Sequence, residues 1–206
     1  RIKKIKLISR TMNNKKVYII HRWGGDPKAD WYVWLKNQLQ DRGFEVYILE
    51  MPNPESPNIK KWTDFISQQA GEPNDNMLFI GHSIGCQAIL RYLQESQASA
   101  LGVVCVAGWF RLKDLETEEE KEIAKPWLDI SLINFEKIKE NAGDLIAIFS
   151  DNDPYVSLEE NKKVFKEKLN AKIIIQKDKG HFTEEDGIVK LPVVLEEVLK
   201  ISKIKI

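Results

Sequence analysis

Residues Met77 to Gly85 read MLFIGHSIG, so that four apolar residues run directly into the pattern Gly-x-Ser-x-Gly. The apolar run is short and partly β-branched, which is typical of a strand buried on both faces of a parallel sheet. Residues 86–93 follow without Pro or Gly and place Ile89, Leu90 and Leu93 on one helical face. The stretch therefore predicts a strand, a one-residue turn and a helix.

Ser83 stands at the predicted turn, between Gly81 and Gly85. A strand that turns into a helix at one residue strains that residue and leaves no room for neighbouring side chains, and glycine removes the clash. The turn raises the Ser83 hydroxyl above the sheet edge, where the N–H groups of the helix start can bind an oxyanion. We therefore interpret Ser83 as a nucleophile; the alternative is a tight turn whose serine caps the helix.

Length and charge restrict the class of protein. The chain has 206 residues, and its 31 Lys and Arg balance its 31 Asp and Glu. We expect one α/β domain over residues 16–206. The balanced charge favours neither nucleic acid nor an anionic membrane as a partner. Apolar runs fall far short of the roughly 18 residues of a membrane span. A small-molecule substrate is the expected partner, and a protein partner is neither indicated nor excluded.

The first residues and the two cysteines bear on location. Residues 1–15 are interpreted as an N-terminal extension or a vector-derived remnant, and residues 1–11 are basic without the long apolar core of a secretory signal. Cys86 and Cys105 lie in separate predicted core elements and form no Cys-x-x-Cys pair. They are expected to be small buried residues rather than a disulfide or metal pair. These patterns favour a cytoplasmic protein that needs no metal and no organic cofactor.

Strands and helices alternate along the rest of the chain. Strands are predicted at 17–20, 44–49, 77–80, 101–107, 144–149 and 172–176, and helices near 30–41, 59–69, 86–93, 158–169 and 192–201. This order predicts an α/β fold, a three-layer α/β/α sandwich with a mostly parallel sheet. Ligands of such sheets bind outside the carboxyl ends of the strands.

The connection between Ala107 and Asn134 is predicted to be long and irregular, and could be a lid over this edge. Its acidic run, residues 116–122, is expected to be a solvated helix face. Its aromatic residues Trp109, Phe110 and Trp127 could be core or pocket lining. We assign all three to a substrate pocket that sets substrate choice.

A serine nucleophile needs a base, and the sequence contains three histidines. His82 is predicted to point away from its neighbour Ser83 and to act in packing or hydrogen bonding. His21 follows the first strand and could lie nearby. His181 follows the last strand, on the same rim as Ser83, and is the favoured base.

The base needs a carboxylate to hold its tautomer. Asp151 and Asp153 both follow the strand ending at Phe149. Either gives the chain order Ser, Asp, His of the α/β-hydrolases. Asp-x-Asp is also a common turn sequence, and the pattern alone does not choose between the two carboxylates.

The sequence resembles the small serine-hydrolase family that includes mammalian retinoblastoma-binding serine hydrolase and its bacterial relatives. The similar stretches are Trp31-Tyr32-Val33-Trp34-Leu35, Met51-Pro52-Asn53-Pro54, Trp62, Gly81-His82-Ser83-Ile84-Gly85, Glu136-Lys137-Ile138-Lys139, Asp153-Pro154 and Gly180-His181-Phe182. The resemblance implies a compact α/β-hydrolase fold with a minimal cap. It also implies that nucleophile, acid and base fall on Ser83, Asp153 and His181, the acid being the Asp before Pro.

One departure concerns the oxyanion hole. Many α/β-hydrolases have His-Gly after the first core strand, whereas this chain has His21-Arg22. The N–H of Ile84 is the expected first donor, and the N–H of Arg22 or Trp23 the second. The Arg22 side chain could instead bind a substrate carboxylate or face solvent.

The sequence therefore predicts a serine hydrolase that cleaves small esters, thioesters or amides through an acyl-enzyme. The competing hypothesis is a protein-interaction or binding module on a hydrolase fold with little turnover, because a fold alone does not determine activity.

Overall fold

The computed structural model of the protein describes residues 15–113 and 115–204, so the predicted N-terminal extension lies outside the described residues except for Lys15. The described part contains six strands and seven helices. The strands are β1 (Lys16–Ile20), β2 (Glu45–Leu49), β3 (Met77–His82), β4 (Gly102–Val106), β5 (Asp144–Ser150) and β6 (Lys172–Gln176). The helices are α1 (Tyr32–Gln40), α2 (Ile59–Ala70), α3 (Ile84–Glu95), α4 (Glu118–Leu128), α5 (Phe135–Asn141), α6 (Leu158–Leu169) and α7 (Pro192–Ile201).

The six strands form one sheet in the order β2-β1-β3-β4-β5-β6, and all five pairings are parallel. Parallel strands place all their carboxyl ends on one edge of the sheet. β3 and β4 lie in the middle and are buried along their whole length, which explains why their sequences are apolar except for His82. The predicted α/β fold is confirmed, and Ser83 follows a central strand.

Two hydrophobic cores cover the two faces of the sheet. Side chains alternate across β1, since Tyr18 and Ile20 belong to one core whereas Val17 and Ile19 belong to the other. The first core also contains apolar residues of α2, α3, α5 and α6, and the second contains those of α1 and α7. The sheet is therefore the middle of three layers, as predicted.

The connection after β4 is less irregular than predicted, because it contains α4. Thr117 and Glu120 form a reciprocal capping box at its start: the Thr117 hydroxyl accepts from the Glu120 N–H at 3.1 Å, and the Glu120 carboxylate accepts from the Thr117 N–H at 2.9 Å. Carboxylates in the first turn also suit the positive end of the helix dipole. The acidic run is thus the largely exposed start of a helix, and Thr-x-x-Glu was the signal for its first residue.

The described part contains no helix that is long and apolar enough to cross a membrane. Its longest helices have 12 residues, whereas a span takes about 20. Cys86 and Cys105 are buried, and both thiols are free.

Candidate active site

Ser83 occupies a strained turn between β3 and α3. Its φ of 55° and ψ of −121° are unusual for a residue other than glycine. A Cβ on Gly81 would lie 2.6 Å from the backbone N of Cys86, and one on Gly85 would lie 2.5 Å from the carbonyl oxygen of Ile20. Both positions therefore require glycine, as predicted for a nucleophile elbow.

His181 and Asp153 are joined at the same edge of the sheet. Asp153 Oδ2 lies 2.8 Å from His181 Nδ1, and both residues are buried. The other carboxylate oxygen, Oδ1, accepts the N–H groups of Tyr155 at 2.9 Å and Val156 at 3.0 Å. With the carboxylate fixed in this way, Nδ1 carries the proton and Nε2 is left with a lone pair that can accept one.

The loop after β5 is hydrogen-bonded to the loop after β6. Asn152 Oδ1 accepts from the Gly180 N–H at 2.8 Å, and Asp151 Oδ1 accepts from the Asp178 N–H at 2.8 Å. These bonds hold the loop of Asp153 against the loop of His181. Asp151 itself is exposed and is bonded to backbone rather than to the imidazole.

The Ser83 hydroxyl has an unexpected partner. The indole N–H of Trp109 donates to Ser83 Oγ at 3.2 Å, and Trp109 is almost fully buried. Among the described residues, no hydrogen bond joins Ser83 Oγ to His181. Hydrogen bonds between catalytic groups are often long in free enzymes and shorten when substrate binds. Sequence reasoning placed Trp109 in a pocket wall but not on the hydroxyl.

Ser83, Trp109 and His181 line one cavity of about 740 Å³. Its other apolar walls are formed by Trp23, Leu112, Leu115, Ile123 and Tyr155. Five carboxylates also line it: Glu55, Glu119, Glu120, Glu185 and Asp186. A cavity of this size is typical of a small-molecule site, and its walls combine aromatic and aliphatic side chains with many polar and charged ones.

The assignment of Phe110 and Trp127 to the pocket is corrected by the structure. The Phe110 ring packs against Phe165, with centroids 5.1 Å apart. The Trp127 ring packs edge-on against Trp62, and its N–H donates to the Pro57 carbonyl at 3.0 Å. Both side chains belong to the core that contains apolar residues of α2, α3, α5 and α6, and neither lines the cavity. The connection turns these two rings inward, and its smaller aliphatic residues line the cavity instead.

His82 is a buried structural residue, as predicted. Its Nδ1 accepts from the Tyr32 hydroxyl at 2.6 Å, and its Nε2–H donates to the carbonyl oxygen of His181 at 2.7 Å. Burial, reinforced by the nearby His181, holds the pKa of His82 well below its ordinary value. A neutral His82 thus holds the backbone of His181 in place through this hydrogen bond to its carbonyl oxygen.

Arg22 is held in place by Asp30, a buried carboxylate that sequence reasoning missed. Asp30 Oδ2 accepts from Arg22 Nε at 2.9 Å, and Oδ1 accepts from the Glu184 N–H at 2.9 Å. Arg22 also lies 3.5 Å from the Glu185 carboxylate, and its backbone N–H donates to the Tyr32 hydroxyl at 3.3 Å. A guanidinium between two carboxylates is poorly suited to bind a third.

Two other side chains near Ser83, those of His21 and Cys86, are poorly suited to act as a base or a nucleophile. His21 is buried, its Nδ1–H donates to the Arg22 carbonyl at 2.8 Å, and its Nε2 accepts from the Met51 N–H at 3.1 Å, so neither ring nitrogen is available. Burial raises the pKa of the Cys86 thiol well above its ordinary value, which disfavours a thiolate.

Within the described ranges, no cluster of three or more His, Cys, Asp or Glu side chains is arranged to hold a metal ion.

Comparisons with known proteins agree with this architecture. Residues 17–200 match the model of the family described as serine hydrolase. The YdeN protein of Bacillus subtilis, which is named as a hydrolase, is 31% identical over 185 residues, which is 88% of this chain and 93% of that protein. The serine hydrolase RBBP9 of Rattus norvegicus is 30% identical over 173 residues, covering 82% of this chain and 87% of that protein.

The solved structure of the ydeN gene product from B. subtilis superimposes with a TM-score of 0.82 at 28% identity, covering 91% of this chain and 98% of that chain. The fold is thus that of the α/β-hydrolases. Taken with the family match over residues 17–200, this similarity means that the chain belongs to the serine hydrolase family.

Proposed function

We propose that this hydrolase cleaves small esters, thioesters or amides through an acyl-enzyme on Ser83. The observation that carries the proposal is the 2.8 Å contact between Asp153 and His181 in a cavity that Ser83 also lines. The strained turn supports it, because a serine at a strand-to-helix elbow is the nucleophile of α/β-hydrolases.

The proposed reaction has two halves. In the first, Ser83 Oγ bonds to the substrate carbonyl carbon while its proton moves to His181 Nε2, and the carbonyl π electrons move to oxygen. The tetrahedral intermediate then expels the alcohol, thiol or amine, which takes the proton from His181. In the second half, water attacks the carbonyl carbon of the acyl-enzyme while its proton moves to His181 Nε2. The tetrahedral intermediate then expels Ser83 Oγ, which takes the proton from His181, and the carboxylic acid product is released. Asp153 holds the imidazole and stabilises its cation throughout.

Two backbone N–H groups are proposed to bind the oxyanion. Ile84 is the first residue of α3, where the helix provides no acceptor for its N–H. For the second donor we favour Trp23 over Arg22, because the Arg22 N–H already donates to Tyr32. Trp23 also lines the cavity beside Ser83.

Labelling with a fluorophosphonate probe tests the proposal. Wild-type protein is expected to gain one probe adduct, which peptide mass spectrometry should place on Ser83, and to release p-nitrophenol from p-nitrophenyl butyrate. Ser83→Ala should abolish both signals, whereas Ser56→Ala, at an exposed serine outside the cavity, should keep both. Wild-type protein that is neither labelled nor active would favour the binding-module hypothesis.

Ile123 is expected to help determine which acyl groups fit. It is partly exposed on α4 and lines the cavity that Ser83 and His181 also line. Ile123→Ala should raise KM for p-nitrophenyl octanoate by about 10-fold, the effect of roughly 1–3 kcal/mol of lost apolar contact, and leave kcat nearly unchanged.

Steady-state kinetics with butyrate and octanoate esters measures this effect, and butyrate should be nearly unaffected. Trp127→Ala is the contrasting variant: it should lower the midpoint of thermal unfolding without a selective change in KM, because Trp127 lies in the core. Equal KM changes for both esters in Ile123→Ala would contradict the assigned role.

We also propose that the protein functions in the cytoplasm on a small-molecule carbonyl substrate. Cys86 and Cys105 are buried and form no disulfide, and free cysteines are usual in reducing compartments.

A further inference from the structure

The hydrogen bond between Trp109 and Ser83 stands out from the other indole contacts near the site. Trp62 and Trp127 are buried and donate to backbone carbonyl oxygens, of Pro52 at 2.8 Å and of Pro57 at 3.0 Å. Trp109 instead donates to Ser83 Oγ at 3.2 Å, and it lines the cavity. Its N–H is thus directed at the atom that is proposed to attack the substrate.

The backbone before Trp109 is shaped so that the indole reaches this position. Ala107 has a φ of 47°, in the left-handed region that disfavours residues other than glycine. A Cβ on Gly108 would lie 2.9 Å from the Phe165 ring and 3.1 Å from the Cys86 side chain. The chain therefore leaves β4 through a sharp turn with no space for a side chain at 108. This turn seats Trp109 directly beside the elbow.

We propose that the Trp109 indole N–H is a catalytic hydrogen-bond donor to Ser83 Oγ. The inference rests on the proposed function, since it concerns the reactivity of the same nucleophile. The hydroxyl oxygen can accept from Trp109 while its own proton is donated to His181 Nε2, because a hydroxyl has one donor and two acceptor sites. Trp109 thus fixes the position of Oγ without competing for the proton that the base removes.

The Trp109 N–H also stabilises the negative charge that develops on Ser83 Oγ during the reaction. Oγ is neutral in the resting enzyme and in the acyl-enzyme, but it carries partial negative charge when it attacks and again when it leaves. A hydrogen bond is stronger to a charged acceptor than to a neutral one, so the N–H stabilises both transition states more than the states that precede them. Trp109 keeps its proton throughout, and no bond to its nitrogen forms or breaks.

Replacing Trp109 with 3-benzothienylalanine tests the inference, because this residue keeps the bicyclic ring and substitutes sulfur for the N–H. The second-order rate of fluorophosphonate labelling is expected to fall about 10- to 100-fold, and kcat for p-nitrophenyl butyrate by a similar factor with KM little changed. Trp109→Phe should give the same pattern with some added loss of stability. The matched control is 3-benzothienylalanine at position 62, which loses a buried indole donor outside the cavity; thermal unfolding of every variant is compared with wild type.

The outcomes separate this inference from the proposed function. Wild-type protein that is not labelled on Ser83 refutes the proposed function. Wild-type labelling with an unchanged rate in the 109 variant refutes the inference alone. Faster labelling of that variant also refutes it, because the indole would then hold the hydroxyl away from His181. An equal rate loss in the 62 variant would show that the effect comes from general loosening of the fold.

Discussion

Ser83→Ala and His181→Ala are each expected to lower kcat for p-nitrophenyl butyrate by about 10⁶-fold, and the double variant is expected to be little worse than either. Ser83 Oγ is proposed to be the nucleophile and His181 Nε2 to be the group that removes its proton. Without the base the hydroxyl remains a poor nucleophile, and without the hydroxyl the base has no proton to remove. The remaining rate should come from the oxyanion donors and substrate binding.

Single-turnover kinetics with all four proteins measures the coupling, provided that thermal unfolding shows each to be folded. The fold of the His181 variant must be checked with particular care, because the carbonyl oxygen of His181 also accepts a hydrogen bond from His82. The His181→Ala variant keeps that carbonyl, so its fold should persist. Losses that multiply in the double variant would mean that the two residues act independently, which would refute a shared mechanism.

The fold was predictable because its signals are local. β3 and β4 are central strands with both faces buried, so their sequences are apolar except for His82, and the helices carry apolar stripes. The acidic run was expected to be a solvated helix face, and it lies at the largely exposed start of α4. The acidic residues alone do not mark where the helix begins, and the capping pair Thr117 and Glu120 sets that boundary.

The site was predictable where topology alone brings residues together. Ser83, Asp153 and His181 follow three parallel strands, so chain order placed them on one edge of the sheet. Chain order did not separate Asp153 from Asp151, and that choice came from the family resemblance. The bond from Trp109 to Ser83 and the burial of Phe110 depend on the path of a single turn after β4. Asp30 is similar, because its partner Glu184 is more than 150 residues away in the chain. No sequence periodicity encodes contacts of this kind.

Asp153→Asn is expected to lower kcat about 10⁴-fold, whereas Asp151→Asn should leave it within about 3-fold. Both replacements remove one negative charge, and the two positions are two residues apart. Only Asp153 contacts the imidazole, with Oδ2 2.8 Å from His181 Nδ1. Asp151 is exposed and accepts from the Asp178 N–H, a bond that the amide oxygen of asparagine can retain. The pair therefore separates the loss of a specific contact from the loss of charge.

The size of the Asp153 effect follows from what its second oxygen does. Oδ1 accepts the N–H groups of Tyr155 and Val156, and an asparagine at 153 would place its carbonyl oxygen there because only oxygen can accept. Its NH₂ group would then face His181 Nδ1 and donate to it. That reverses the tautomer and puts the proton on Nε2, so the imidazole can no longer accept the proton of Ser83. Measured kcat for p-nitrophenyl butyrate with both variants decides the matter: a larger loss in Asp151→Asn would show that Asp153 is not the acid.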